Sequence, residues 1–171
     1  MTDSTENLEV FDRRNRLIGQ ASRGSLHRYG LRHRAVHILV FDLEGRLFLQ
    51  FRAGQKDQYP RHWDTSAAGH VSPCESYPAA AARELAEELG IQADLSWVLG
   101  VAAGADTGWE HIGLFCCQTA LEPRLDPGEI ETGRFFSATE LEKLLSDPAM
   151  AVTPAFRLLY RLWQGHAGGG R

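Results

Sequence analysis

The sequence predicts an α/β protein, an α/β/α sandwich around a central mixed β-sheet. Three observations carry this prediction. Runs rich in Val, Ile and Phe recur along the chain, helical patterns with start and stop residues lie between them, and the two kinds follow one another in irregular order. The length of 171 residues, with 43% apolar and 23% charged residues, suits one globular domain with a core of normal size. Residues 1–165 are expected to form that domain. Residues 166–171, with Gly168-Gly169-Gly170, are expected to form a flexible tail.

The elements follow in chain order. Glu9 to Gly19 reads as a small hairpin with a polar turn, part of an N-terminal extension over 8–21. Arg34 to Phe41 reads as a strand, Asp42 to Gly45 as a turn, and Arg46 to Phe51 as the partner strand. Arg52 to Asp64 is a polar loop, and Gly69 to Glu75 another. Ser76 to Leu89 reads as a helix, with Pro78 in the first turn and Gly90 closing it. Trp97 to Ala103 and Ile112 to Thr119 read as strands, and Arg134-Phe135-Phe136 as a short one. Ser137 caps a helix running to Leu145, with Glu140 completing a capping box. Pro154 to Trp163 forms a last amphipathic helix.

Charge and composition exclude several classes. With 18 Lys plus Arg against 22 Asp plus Glu, the net charge of −4 argues against a general nucleic-acid coat. No apolar run approaches the roughly 20 residues of a bilayer span. The start of the chain is polar and lacks a signal-peptide core. The three cysteines, Cys74, Cys116 and Cys117, lack metal-ligand spacing, and the adjacent pair reads as small core residues. These features predict a cytoplasmic protein.

The helix from Ser76 to Leu89 has an unusual surface. Pro78, Ala81, Ala82, Leu85 and Leu89 are expected to share the face that packs on the sheet. Glu84, Glu87 and Glu88 cluster beside it at i, i+3 and i+4, where like charges repel by about 0.2–0.5 kcal/mol per pair. Arg83 is the one cation of this segment. The triplet alone reads either as a solvated acidic face or as a site for a hard cation, Mg²⁺ or Mn²⁺.

The wider pattern favours the cation. Gly69, five residues, Glu75, seven residues and then Arg83-Glu84-Leu85-Ala86-Glu87-Glu88-Leu89-Gly90-Ile91 resemble the Nudix box at each defining position. Cys74, where many members carry Gly, is a small departure. The resemblance implies a hydrolase that cleaves a diphosphate linked to a nucleoside or another group. It assigns Glu84, Glu87 and Glu88 to metal binding and base work, with the Gly69 carbonyl as a further ligand. Arg83 orients the carboxylates, and Glu75 pairs with Arg83 or reaches the metal through water. A later carboxylate from Asp126-Pro127-Gly128-Glu129-Ile130-Glu131 assists in many members, and Glu129 and Glu131 both qualify.

Outside the box, His27, His33, Asp64-Thr65-Ser66-Ala67-Ala68-Gly69-His70, Arg52 and Lys56 resemble the isopentenyl-diphosphate isomerase-like branch of the same family. Isomerases of that branch hold a divalent metal with histidines at the positions of His27, His33 and His70 and two downstream glutamates. A cysteine before the Gly-His pair and one of those glutamates move the proton. Here Ala68 stands at the cysteine position, Glu110 at the first glutamate and Ile112 at the second, catalytic one. The frame is that of an isomerase; the carboxylates are those of a hydrolase.

His27, His33, His70 and Glu110 therefore remain open as a second metal site, a phosphate site or structural groups, and His37 reads as structural. Arg52 and Lys56 are implied diphosphate contacts. Trp63 and Trp109 could stack on a base or pack in the core, the loop position of Trp109 leaves it free to do the first, and Tyr59 is a similar candidate. The expected activity is metal-dependent cleavage of nucleoside di- or triphosphates, or related nucleoside diphosphate derivatives, to a monophosphate. The rivals are a prenyl-diphosphate isomerase and a nucleotide-sensing module without turnover. The expected partner is a small nucleotide, with neither nucleic acid nor membrane, and the expected assembly a monomer or homodimer.

Overall fold

The structure, a computed structural model, describes residues 7–168. Strands β1 (Asn7–Phe11) and β2 (Leu17–Ser22) pair antiparallel as a separate two-stranded sheet, the hairpin expected from the sequence. Asp12 closes its turn by accepting the N–H groups of Arg14 and Arg16 on Oδ1. Helix α1 (Arg23–Tyr29) follows. The sequence reading has no helix there, because apolar periodicity is its main signal and this helix buries one apolar residue, Leu26. Its ends are nonetheless marked: Ser22 caps the first turn, and Gly30 takes the left-handed conformation at the last.

The main sheet is seven-stranded. It contains β3 (His33–Phe41), β4 (Leu47–Arg52), β5 (Trp63–Asp64), β6 (Ala67–His70), β7 (Ser96–Val101), β8 (Glu110–Gln118) and β9 (Ile130–Phe136). The order is β5-β4-β3-β8-β7, with β6 pairing β3 and β9 pairing β4. The central β3–β8 pair is parallel and the remaining pairs are antiparallel, so the sheet is mixed. The loop expected from Gly69 begins two residues later than predicted, since Gly69 and His70 end β6.

Helices cover both faces. Val36, Ile38 and Val40 of β3 pack with Phe115 and Cys117 of β8 under α2 (Tyr77–Leu89). Leu39, Ile112 and Leu114 face the other way, under α3 (Ala138–Ser146) and α4 (Pro154–Gly168). This is the period-two alternation of a strand buried on both sides. Ser137 and Glu140 form the capping box of α3 as expected. Helix α4 runs past Trp163, so positions 166–168 of the expected tail are helical, while 169–171 lie outside the described residues.

Helix α2 sits in a different rotation from the one expected. Its buried residues are Ala80, Ala81, Leu85, Glu88 and Leu89, whereas Pro78 and Ala82 are exposed. The apolar stripe is narrower than the alanine run suggests, because small residues are tolerated on either side of it. Leu85 and Leu89 supply most of the apolar burial, worth about 1.5–3 kcal/mol each. Glu88 occupies the fifth buried position, and this rotation turns Glu84 and Glu88 toward β6. Ser76 and Gly90 cap the helix as its residues predict, Gly90 in the left-handed conformation. Among the described residues no helix is long and apolar enough to cross a membrane.

Candidate active site

One cleft brings the box carboxylates and the predicted phosphate contacts together. Glu84, Glu87 and Glu88 of α2 line it with Gly69 of β6, and Arg52 and Lys56 line it from the end of β4 and the loop that follows. The three carboxylates differ in setting. Glu88 is 4% exposed, and its Oε2 accepts the Ala68 N–H at 3.1 Å and the Gln50 side-chain amide at 3.2 Å. Glu84 is half-buried and Glu87 exposed. The close approach of Glu84 to β6 requires a glycine: a Cβ on residue 69 would overlap the Glu84 carboxylate. Three oxygen-rich groups converging from one rigid helix suit a hard divalent cation.

Arg83 organises the rim. Its Nε and Nη2 form a fork on Glu75 at 2.9 and 2.8 Å, and Nη2 also donates to the His70 carbonyl at 3.0 Å. Nη1 reaches Glu84 at 2.6 Å and Glu87 at 3.3 Å. The planar five-donor group is matched to this pattern in a way that a lysine ammonium is not. Hydrogen bonds from Arg83 hold the Glu75 carboxyl below its usual value, against burial. Glu75 thus pairs with Arg83, one of the two roles the sequence allows it. At Glu84 burial wins over Arg83 and the value rises.

Burial pushes the Glu88 carboxyl from its ordinary 4.5 up to about 8, and repulsion from Glu84 and Glu129 acts in the same direction. Between those values the folded protein holds a proton that the unfolded chain has lost, so stability falls as pH rises through the window. In a chelator, wild-type protein is expected to lose melting temperature relative to Glu88→Gln as pH rises from about 5 to about 8. Parallel curves for the two proteins would contradict this.

The cleft cations are already paired with acids. Arg52 donates to buried Asp64 at 3.1 Å, and Asp64 is held in turn by Thr153 at 2.9 Å. Lys56 pairs with Glu129. Gln55 donates to the Gly128 carbonyl at 3.0 Å and fastens the two loops together. The geometry separates the two late carboxylates: Glu129 lines the cleft, while Glu131 pairs with Arg61 at 3.2 Å outside its lining.

The histidines also converge. His27 from α1, His33 from β3 and His70 from β6 have ring nitrogens within 4.8 Å of one another. The strand register explains why: His33 pairs with Glu110, and His70 and Ala68 pair with Ala35 and His37, so all project from one face. Glu110 lies 3.6 Å from His33, 3.6 Å from His37 and 3.7 Å from His70, within ion-pair reach and longer than a hydrogen bond. Burial raises the Glu110 carboxyl, yet the three imidazoles together bring it well below the usual range. Burial, then neighbouring His70 and His33, lowers His27 to about 4. His33 donates from Nδ1 to the Leu31 carbonyl, and its buried Nε2 has no hydrogen-bond partner. An orphaned imidazole nitrogen aimed at a carboxylate and two more imidazoles fits a metal ligand.

The aromatic candidates divide. Tyr59, in the left-handed region at φ 47°, lines the cleft. Trp109 does not; it packs over Gly30 and under the Arg32 guanidinium. Trp63 packs between Phe51 and Phe136. Ile112 is buried in the core under α3 and α4, next to the strand position of Glu110. Sequence reasoning missed Arg23 of α1, which lines the cleft, and Gln50 of β4, which donates to Glu88. The unexpected helix hid the first, and a polar residue inside a strand carries no distinctive spacing.

Comparison with known proteins agrees with this geometry. Residues 31–156 match the NUDIX domain model. The chain is 39% identical over 158 residues to an isopentenyl-diphosphate Delta-isomerase of Nocardia farcinica, covering 86% of this chain and 88% of that one. It is 32% identical over 178 residues to an uncharacterised Nudix hydrolase of Streptomyces coelicolor, covering 99% and 96%. Among solved structures, DR0079 of Deinococcus radiodurans superposes with a TM-score of 0.81 at 22% identity, covering 91% of this chain and 98% of that one. The NUDIX domain of Shewanella oneidensis NrtR, solved with ADP ribose, superposes at 0.64 with 12% identity, covering 80% and 88%. With its box residues gathered at one cleft and most of its length matched, the chain belongs to the NUDIX family and is an enzyme of the kind that hydrolyses phosphorus anhydrides.

Proposed function

We propose that the chain is a pyrophosphohydrolase dependent on Mg²⁺ or Mn²⁺. It cleaves nucleoside di- or triphosphates, or related nucleoside diphosphate derivatives, to a nucleoside monophosphate plus phosphate or pyrophosphate. The observation that carries this reading is the meeting of Glu84, Glu87 and Glu88 with Arg52 and Lys56 in one cleft. The ADP ribose complexed by the NrtR neighbour supports a nucleotide as the ligand class.

A divalent ion held by Glu84, Glu87, Glu88 and the Gly69 carbonyl would supply neutralisation of the diphosphate and a more acidic water. The chain's own groups do the rest. Glu88, buried and held by the Ala68 N–H and the Gln50 amide, accepts the proton of the attacking water. Arg83 keeps Glu84 and Glu87 turned to the cleft. Arg52 and Lys56 bind phosphate oxygens and hold the chain of phosphates in line. Glu129 is the late-loop carboxylate of the site, and the incoming phosphate competes with it for Lys56. Tyr59 offers a face to the base. His27, His33, His70 and Glu110 form a second site, for a borderline transition-metal ion or a phosphate. One domain over 1–165, in the cytoplasm, as monomer or homodimer, suffices for this activity.

Product analysis of nucleoside di- and triphosphates of each base, with Mg²⁺ and separately Mn²⁺, tests the reading. Monophosphate release supports it, and tight binding with no turnover would replace it with a sensing module. Lys56→Ala is expected to raise KM about tenfold or more with a smaller change in kcat, because a charge-assisted contact to the substrate is lost. An unchanged KM would remove Lys56 from the site.

The histidine cluster and the Nocardia relative favour a second reading, a prenyl-diphosphate isomerase. Against it stand Ala68, which has no proton to give, and Ile112, which cannot act as base.

A further inference from the structure

Gln50 is an amide in the middle of β4, 1% exposed, on the strand face that carries Phe48 into the apolar layer under α2. A buried amide is costly there unless its hydrogen bonds are met. Its nitrogen lies 3.2 Å from Glu88 Oε2 and 3.5 Å from the Ser66 carbonyl, at the limit of hydrogen bonding. The Glu88 contact is therefore the substantial one. The Gln50 amide nitrogen donates to Glu88, the orientation that serves the ionised, cation-binding form of the carboxylate, which only accepts.

We infer that Gln50 is a positioning residue for Glu88: with the Ala68 N–H it pins Oε2, and so turns Oε1 toward the cation and the attacking water. The inference rests on the reading of Glu88 given above, and adds to it a residue outside the box. Both donors are neutral, in contrast to the guanidinium that holds Glu75, Glu84 and Glu87. A neutral donor fixes the orientation of the carboxylate without competing with a divalent ion for its charge. A cation in the place of Gln50 would do both. The division matches the two settings on α2: Arg83 gathers the rim carboxylates, and the amide fixes the central one.

The test compares wild type, Glu88→Gln, Gln50→Met and Gln50→Asn. Methionine keeps the volume and removes the donor; asparagine keeps the amide and withdraws it by one methylene. Mn²⁺ binding, read from the free-ion EPR signal, is expected to weaken about tenfold to a hundredfold in both Gln50 variants. In hydrolysis of nucleoside triphosphates, kcat is expected to fall with KM within about twofold, because the loss concerns Glu88 rather than substrate binding. Melting temperature in EDTA is expected to stay within about 4 °C of wild type, which separates positioning from a folding role. If Glu88→Gln loses Mn²⁺ affinity and turnover while both Gln50 variants keep them, the inference is overturned and the reading of Glu88 stands. If Glu88→Gln keeps them too, both fall.

Discussion

Glu88→Gln is expected to lower turnover by about two to four orders of magnitude with the fold intact, the range that loss of a general base produces. The substitution suits the site sterically. A glutamine oxygen can accept the Ala68 N–H and the Gln50 amide where Glu88 Oε2 now does. Glutamine is neutral without taking up a proton on burial, as Glu88 must at neutral pH, so stability there should hold or rise. KM should move little, because Arg52 and Lys56 are untouched. Steady-state kinetics beside a melting curve checks both halves. Near-wild-type kcat in a folded Glu88→Gln protein would remove the assigned base.

Gly69→Ala should have the second-largest effect, out of proportion to one methyl group. The new Cβ would occupy the place of the Glu84 carboxylate, which is the far end of a flexible side chain. The side chain can swing away, so stability should change little. Its ligand position is lost, along with its contact to Arg83. Turnover is expected to fall about tenfold to a hundredfold, with a parallel loss of Mn²⁺ affinity. The double variant Gly69→Ala with Glu84→Gln should be no worse than the poorer single one, because both delete the same interaction. Additive losses would mean that Gly69 acts by another route.

How much of this was legible in the sequence depended on whether a residue's role is written in local spacing. The box reads through its resemblance to the Nudix pattern, because Gly69, Glu75, Arg83, Glu84, Glu87 and Glu88 stand at fixed short spacings in the chain. The capping signals of α2 and α3 read equally well, since caps are local hydrogen bonds. The rotation of α2 did not, because Ala80 and Ala82 are alike in sequence and only packing decides which is buried. Helix α1 escaped because its short length buries only Leu26 among its apolar residues. That helix brings His27 to a cluster whose other members come from β3 and β6, and long-range convergence has no sequence period. The choice of Glu129 over Glu131 needed the loop geometry, as did the placing of Trp109 outside the cleft. Gln50 illustrates the same limit, since its meaning lies in a contact with a residue 38 positions away.

Hydrolysis of a phosphoanhydride is assigned here to a chain whose frame and relatives include isomerases. The direct test is phosphorus NMR of nucleoside di- and triphosphates turned over in ¹⁸O-labelled water with Mg²⁺ or Mn²⁺, beside isopentenyl diphosphate incubated in deuterated water. The expected products are a nucleoside monophosphate and ¹⁸O in one of the two phosphorus products, both lost in Glu88→Gln. No deuterium is expected in isopentenyl diphosphate, given Ala68 and Ile112. Deuterium uptake into isopentenyl diphosphate with no nucleotide cleaved would contradict the assignment.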